Sequence, residues 1–407
     1  MTFWRFLTWI LVIGALLLET RAAYGLAATA VVLFYIFPYL QRRTVQNMVV
    51  ERPSEVLRLF SGDEAVLRLA VYNDSPLPLA WVSGSEHLPV GLGSRVHKWV
   101  VSLSPRERAY IECPVYGRSR GVYDVGPVQV VVGDLFGLTT FRQKTDLYQT
   151  VVVYPTRLSL SDLGLPSNLS LGAIRAQIRI HPDPSRLAGV RPYRPGDPLK
   201  TIHWKATGRI GSLQVKQFEH TVHLNVMICV NLDEPEYDVH TLFAQQELAI
   251  ETAAAAASYL TEAGEAVGLA AVALYRKWRA GSAGQGDVFE EEHGTIHISP
   301  RQGQLMEILT ALAGAACQPE RSFLALVDQV GRNLTFGSVL VLIVPHDTPA
   351  LIDQAFALAR LGLYITIIVV GETVEHKSLL GSERGNVRIF HAVREDSRLM
   401  MNRSVSR

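Results

Sequence analysis

Cysteine is scarce in this 407-residue chain, and the three present, Cys113, Cys229 and Cys317, lie far apart. An odd, dispersed set excludes a disulfide framework, and no pair has the spacing of a zinc or iron–sulfur site. Cys113 and Cys229 fall inside apolar runs and read as small buried hydrophobes in a reducing compartment. Charge is also short, at 19% of residues against roughly 25% in average soluble domains. The balance of 39 basic and 38 acidic residues leaves a net charge of +1, so no global field draws nucleic acid. The chain has no glycine-rich phosphate loop between a strand and a helix, no internal repeat and no low-complexity block. What takes the place of charge is hydrophobicity, at 48% of residues.

Much of that hydrophobicity sits at the N-terminus. Residues 6–18 (FLTWILVIGALLL) and 22–40 (AAYGLAATAVVLFYIFPYL) are apolar runs separated by ETR. The second is long enough to cross a hydrocarbon layer of ~30 Å, and the first becomes so if Arg5 reaches the headgroups. The sequence therefore predicts a transmembrane helical hairpin over residues 1–43, with residues 3–40 in the membrane. A secretory signal is the weaker reading of the first run, because no small-residue cleavage site follows it. Arg5, Arg42, Arg43 and Arg52 flank the hairpin outside, while the connecting loop holds Arg21 beside Glu19. The positive-inside rule then gives a two-pass plasma-membrane protein with a cytoplasmic body.

Residues 44–155 alternate polar and apolar, as in AVLRLAVYN (65–73), with turn signals such as NDSP and SPRE between runs. This predicts an antiparallel β-sandwich of the immunoglobulin-like kind. Residues 156–222 are weakly periodic and read as a connector. Residues 223–395 change rhythm: LNVMICVNL (224–232), SVLVLIV (338–344) and YITIIVV (364–370) are continuous apolar runs alternating with helical stretches. That pattern predicts an α/β domain on a parallel sheet. Residues 396–407 read as a tail.

The connector holds the densest chemistry, RPYRPGDPLKTIHWKATGR at 191–209. Residues 186–216 carry seven Lys and Arg against the single acid Asp197. Asp197, His203 and Lys205 suggest an acid–base set, but no nucleophile with a positioned base accompanies them. The structural alternative packs Ile202 and Trp204 on a core, with IHW extended so that His203 and Lys205 face away from Trp204. In that reading Asp197 pairs with Arg194 and Lys200, and arginines reach Glu247 or Glu251. PGDP is a turn, with Gly196 free to take positive φ. Phosphate of nucleic acid or of anionic lipid is a further ligand class for the cations, the membrane surface being the nearer source. At the end of the first α/β strand, Asn231 and Asp233, with Glu372 from a later strand end, outline a degenerate Mg²⁺ site. Pro235 brings no side-chain oxygen to it, and a simple turn accounts for the same residues.

The run Arg191-x-Tyr193-x-x-Gly196-Asp197-x-x-Lys200-x-Ile202-His203-Trp204-Lys205-Ala206-Thr207-x-Arg209 resembles the signature of the bacterial domain of unknown function 58 family. RSRGVYDVGPVQVVVGDLFGL (118–138) is similar to its second signature. The resemblance implies a membrane anchor, a β-sandwich and a von Willebrand factor A-like α/β region, and it implies no defined enzymatic activity. It also implies protein partners, among them a MoxR-type AAA+ ATPase and a transglutaminase-like membrane protein. Asn231, Asp233 and Pro235 depart from the Asp-x-Ser-x-Ser metal site of von Willebrand factor A domains, so no cofactor is expected. The reading is a membrane-anchored, non-enzymatic interaction protein. Its contact residues are Arg191, Tyr193, Gly196, Asp197, His203, Trp204, Lys205 and Arg209, with Trp204 and Tyr193 as packing anchors and no nucleic acid expected. An enzyme using Asp197, His203 and Lys205, or a lipid or nucleic-acid binder, is the alternative.

Overall fold

The apolar N-terminal runs form helices because polar side chains that could compete for the backbone are few in them, and Thr29 donates its hydroxyl back to the Gly25 carbonyl at 2.8 Å within the helix. The computed structural model describes residues 2–18, 20–53, 55–93, 95–133, 140–165, 187–218, 224–279, 288–317, 322–371 and 386–393. The chain divides into one unit of residues 1–156 with 276–291 and a second of 157–275 with 292–407. In the first, α1 (Thr2–Leu18) packs against α2 (Arg21–Gln46). Thr20 caps α2 by accepting the Ala23 N–H on its hydroxyl at 3.3 Å. A π-helical turn over Val32–Ile36 interrupts α2 without ending it. At 26 residues it is about 39 Å long, enough to cross a bilayer core; α1 is shorter. The second helix runs three residues past the boundary at 43 expected from the sequence, because Thr44 and Val45 bury against the sandwich that follows.

That sandwich is built from β1 (Met48–Glu51), β2 (Leu57–Phe60), β3 (Glu64–Asn73), β4 (Leu79–His87), β5 (Val96–Leu103), β6 (Arg108–Tyr116), β7 (Gly121–Val125), β8 (Val128–Gly133), β9 (Thr140–Thr145) and β10 (Gln149–Tyr154). They form sheets of order β1-β3-β6, β2-β10-β7 and β5-β4-β8-β9, antiparallel except for β2 beside β10. Alternation in β3 and β6 turns Leu69, Val71 and Ile111 inward onto Val82, Trp99, Val130 and Val132 of the four-stranded sheet. Leu67, Cys113 and Val115 pack on Leu59, Val151 and Val153 of the three-stranded one. Two tryptophans lie over cross-strand glycines: a Cβ on Gly84 would come within 2.0 Å of Trp99, and one on Gly133 within 1.9 Å of Trp81. Arg52, counted from the sequence among the surface charges beside the membrane, is instead buried. Its guanidinium donates to Glu86 Oε1 at 2.5 Å and to the Val125 carbonyl at 2.9 Å, so it adds no charge to the flank.

The second unit opens with β11 (Leu187–Pro192), α3 (Trp204–Ile210) and β12 (Gln214–Phe218). The described part of the connector from Leu187 to Phe218 is thus folded: β11 and β12 form an antiparallel pair with Arg191 opposite Val215. Next come β13 (Asn225–Val230), α4 (Leu242–Glu262), β14 (Ala266–Arg279), β15 (Val288–Arg301), α5 (Leu305–Gly314), α6 (Phe323–Asn333), β16 (Val339–Val344), α7 (Pro349–Arg360), β17 (Tyr364–Val369) and β18 (Val387–His391). They make a mixed sheet of order β15-β14-β13-β16-β17-β18, parallel from β14 to β18. β18, unmarked by any long apolar run, escapes the sequence reading. β13, β16 and β17 are continuously apolar because helices cover both faces. Met227, Cys229, Leu340 and Leu342 pack on α6 and α7, and the alanine-rich α4 packs on β13 and β16. The expected tail at 396–407 lies outside the described residues.

Candidate functional site

The signature residues are assembled by one turn and one short helix on the β11–β12 pair. Arg194, Pro195, Gly196 and Asp197 form a turn closed by the Asp197 N–H donating to the Arg194 carbonyl at 3.0 Å. Proline presets the second position and Gly196, at φ 105°, supplies the third, as a type II turn requires. The Asp197 carboxylate accepts both Arg191 guanidinium nitrogens, at 2.7 and 2.8 Å, and the Arg194 N–H at 2.9 Å. These bonds, Arg191 first, pull its carboxyl down to about 2. The partner is therefore Arg191, at the end of β11, in place of the expected Arg194 and Lys200 side chains. Arg191 presents its planar fork to both oxygens, which the Lys200 ammonium could not do.

His203 also takes a structural place. Its N–H donates to the Gln214 carbonyl at 2.8 Å, and its ring Nδ1 accepts the Ala206 N–H at 3.1 Å as the N-cap of α3. A neutral ring in this bond carries its proton on Nε2. The expected extended IHW is corrected at this point: with the cap at 203, Trp204 begins a helix, and alternation no longer sets the side-chain directions. Ile202 is buried and bridges to Val215. Trp204 is 68% exposed, which overturns its role as a packing anchor; the helix start points it outward. Tyr193 is half-buried and its N–H donates to the Leu213 carbonyl at 2.9 Å. In the same segment Leu199, Ile210 and Leu213 are exposed, as are Arg194, Lys200, Lys205 and Arg209. The structure thus joins Arg191 with Asp197 and leaves His203 to the helix. Sequence reading missed Thr207 and Gln214, whose side-chain hydroxyl and backbone N–H bond at 3.0 Å across the base of the motif; the alternation in β12 was the available signal.

A second cluster lies at the carboxyl ends of β13 and β16, where strand order reverses direction and open α/β sheets bind ligands. Asn231 is fully buried. Its amide oxygen accepts the Asp233 N–H at 3.0 Å, its amide nitrogen donates to Glu236 Oε2 at 2.6 Å, and its carbonyl accepts the Tyr237 hydroxyl at 2.6 Å. Burial raises the Glu236 carboxyl, helped by Asp233 and opposed by the Asn231 amide and His346. The Asn231 oxygens are spent on a local turn, and among the described residues no group of three His, Cys, Asp or Glu could hold a metal. Of the Mg²⁺ donors considered above, Asn231 is engaged in this turn, and Glu372 lies outside the described residues.

Residues 189–286 match the family described as protein of unknown function DUF58. They span β11, the signature helix, β12, β13, α4 and β14, and the resemblance read from the sequence is borne out. The uncharacterized protein YeaD of Bacillus subtilis is 24% identical over 249 residues, which cover 56% of this chain and 61% of that protein. Solved structures align with about a quarter of the chain. PapD-like domain 7 of human CEP192 covers 27% of it and 87% of its own length at 11% identity, with a TM-score of 0.21. A CARDB domain from Pyrococcus furiosus, solved with di-metal ions, covers 26% and 90% at 14% identity and a TM-score of 0.19. Likeness at that level carries no argument about this chain.

Proposed function

We propose that this chain, a DUF58-family protein through residues 189–286, is a membrane-anchored, non-enzymatic interaction protein that docks a protein partner on its signature hairpin. The observation that carries the reading is Trp204, 68% exposed on a short helix whose base is tied by His203, Thr207 and Gln214. A large exposed aromatic on a capped helix, in a segment that also exposes Leu199, Ile210, Leu213 and several cations, is the makeup of an interface centre. The partner surface it fits is apolar at its middle and acidic at its rim. Asp197 and His203, the two groups an acid–base mechanism needs, are each engaged in local structure, which favours binding over catalysis. The anchor is the α1–α2 hairpin, with both ends and the body in the cytoplasm of the plasma membrane. The strand order of the second unit supports a von Willebrand factor A-like domain used for partner binding without metal, and the first unit supports an immunoglobulin-like sandwich.

The family resemblance makes a MoxR-type AAA+ ATPase the partner to test. Full-length protein in detergent is immobilised, and the ATPase of the same cell is passed over it. Trp204→Ala is expected to weaken retention by about 30-fold, the loss typical of a hot-spot aromatic, with its melting temperature unchanged. Equal retention by both forms, or none by either, removes this surface from the reading.

A further inference from the structure

Charge in the second unit is divided along the chain. Residues 186–216 hold seven Lys and Arg against Asp197 alone, whereas residues 217–275 hold nine Asp and Glu and no Lys or Arg. Four of those acids, Asp233, Glu234, Glu236 and Asp238, fall in the loop between β13 and α4. Hydrogen bonds fix that loop. The Tyr237 hydroxyl ties it to the Asn231 carbonyl at 2.6 Å. Farther on, the Thr241 N–H donates to the Asp238 carbonyl at 3.0 Å and the His240 N–H to Asp238 Oδ1 at 2.9 Å. Leu232 and Tyr237 take its buried positions. Val239 and Phe243 are left outside, 86% and 71% exposed, in a segment that also exposes Glu234 and Asp238. Large apolar side chains held in solvent by an ordered acidic segment are the composition of an interaction surface.

Apolar side chains with acidic neighbours are what the signature hairpin fits, since it exposes Trp204, Leu199, Ile210 and Leu213 with Arg194, Lys200, Lys205 and Arg209. Within one copy the two surfaces do not cover each other. Both lie in the second unit, and Trp204 is about as open to solvent as Phe243. We propose that a second copy of this chain docks its 233–243 loop on the hairpin. Val239 and Phe243 then meet Trp204, and the acids of the loop meet the cations of the hairpin. The proposal rests on the reading of the hairpin as a docking surface and names a partner for that same surface. Opposite charge sets the polarity, because hairpin on hairpin or loop on loop would bring like charges together. The contact is therefore head-to-tail. Anchoring in one membrane raises the effective concentration of the copies for each other. A hairpin covered by a neighbour is withheld from any other protein, so self-association limits how many hairpins the ATPase finds.

The test uses full-length protein in excess detergent, sized by sedimentation velocity. The unmodified chain is expected to self-associate, and added salt to weaken the association by screening the charges. Trp204→Ala and Phe243→Ser each remove one surface, and each is expected to weaken association about 30-fold, the loss typical of one hot-spot aromatic. Both side chains are exposed, so melting temperatures should hold. An equimolar mixture of the two variants tests the polarity. Each retains the surface the other lacks, so the mixture should recover a dimer and no larger species. A monomeric unmodified chain, association indifferent to either variant, or variants that stay monomeric when mixed overturns the second copy. ATPase retention separates this from the reading above, because Phe243→Ser leaves the hairpin intact and should retain the ATPase fully. Retention by a chain that stays monomeric removes the second copy and keeps the hairpin as the ATPase surface. Self-association with no ATPase retained by any form removes the ATPase and keeps the second copy.

Discussion

At the scale of single residues, the signature owes its shape to one acid. Asp197 is the sole carboxylate among seven cations in residues 186–216; both its oxygens accept from the Arg191 fork, and Oδ2 accepts the Arg194 N–H as well. The charged form is the one these donors bind, which is why the carboxyl titrates low, at about 2. The sign follows: a group whose folded value is depressed stabilises the fold above its unfolded value of ~3.9 and loses that contribution as pH falls through about 2. Carboxyl NMR titration is expected to place Asp197 near 2 in the native protein. In Arg191→Gln it should return most of the way to ~3.9. An Asp197 midpoint unmoved by that variant would mean that the backbone amide alone holds it down. Lysine at 191 would keep the charge but not the fork, so Arg191→Lys should shift the midpoint part of the way.

At the scale of elements, seven residues make α3, too few to be stable on propensity alone. Its ends explain its presence. His203 accepts the Ala206 N–H at one end, and Gly211, at φ 77°, closes the other with its N–H on the Thr207 carbonyl. Replacing a capping side chain by alanine costs about 0.5–2 kcal/mol. His203→Ala should therefore speed hydrogen exchange at the Ala206 amide and lower partner binding, while His203→Asn, which restores an acceptor, should recover both. Binding lost in the alanine variant and still lost in the asparagine variant would give the imidazole a role beyond its cap. Within the sandwich, the paired Trp81–Gly133 and Trp99–Gly84 contacts show the complementary case, in which an element is held by the absence of a side chain on its neighbour.

At the scale of the whole molecule, sidedness is the property on which the proposed function depends. Burial pushes the Cys113 thiol up to about 11, with Glu86 adding to it, and raises Cys229 as well. Both are therefore poor thiolates shielded from reagents, whereas Cys317 is half-buried and accessible in part. An impermeant maleimide applied to spheroplasts is expected to leave the protein unlabelled until the membrane is opened, and then to label Cys317 alone. Labelling of intact spheroplasts would turn the body outward and end the cytoplasmic reading. The positive bias that supports this orientation now rests on fewer residues, since Arg52 is buried with Glu86.

The sequence by itself determined the features that depend on near neighbours. Apolar run length marked the N-terminal helices, period-two alternation marked β3 and β6, and unbroken apolar stretches marked β13, β16 and β17 as strands covered on both faces. Pro195 and Gly196 marked the turn. Only the tertiary structure decided what depends on pairing across distance. Arg191 reaches Asp197 because β11 ends beside the turn, a choice among seven cations that spacing could not make. Trp204 is exposed because the His203 cap starts a helix there, and a cap is known only once the chain's φ and ψ are known. Arg52 changed from surface charge to buried partner because Glu86, 34 residues away, folds onto it.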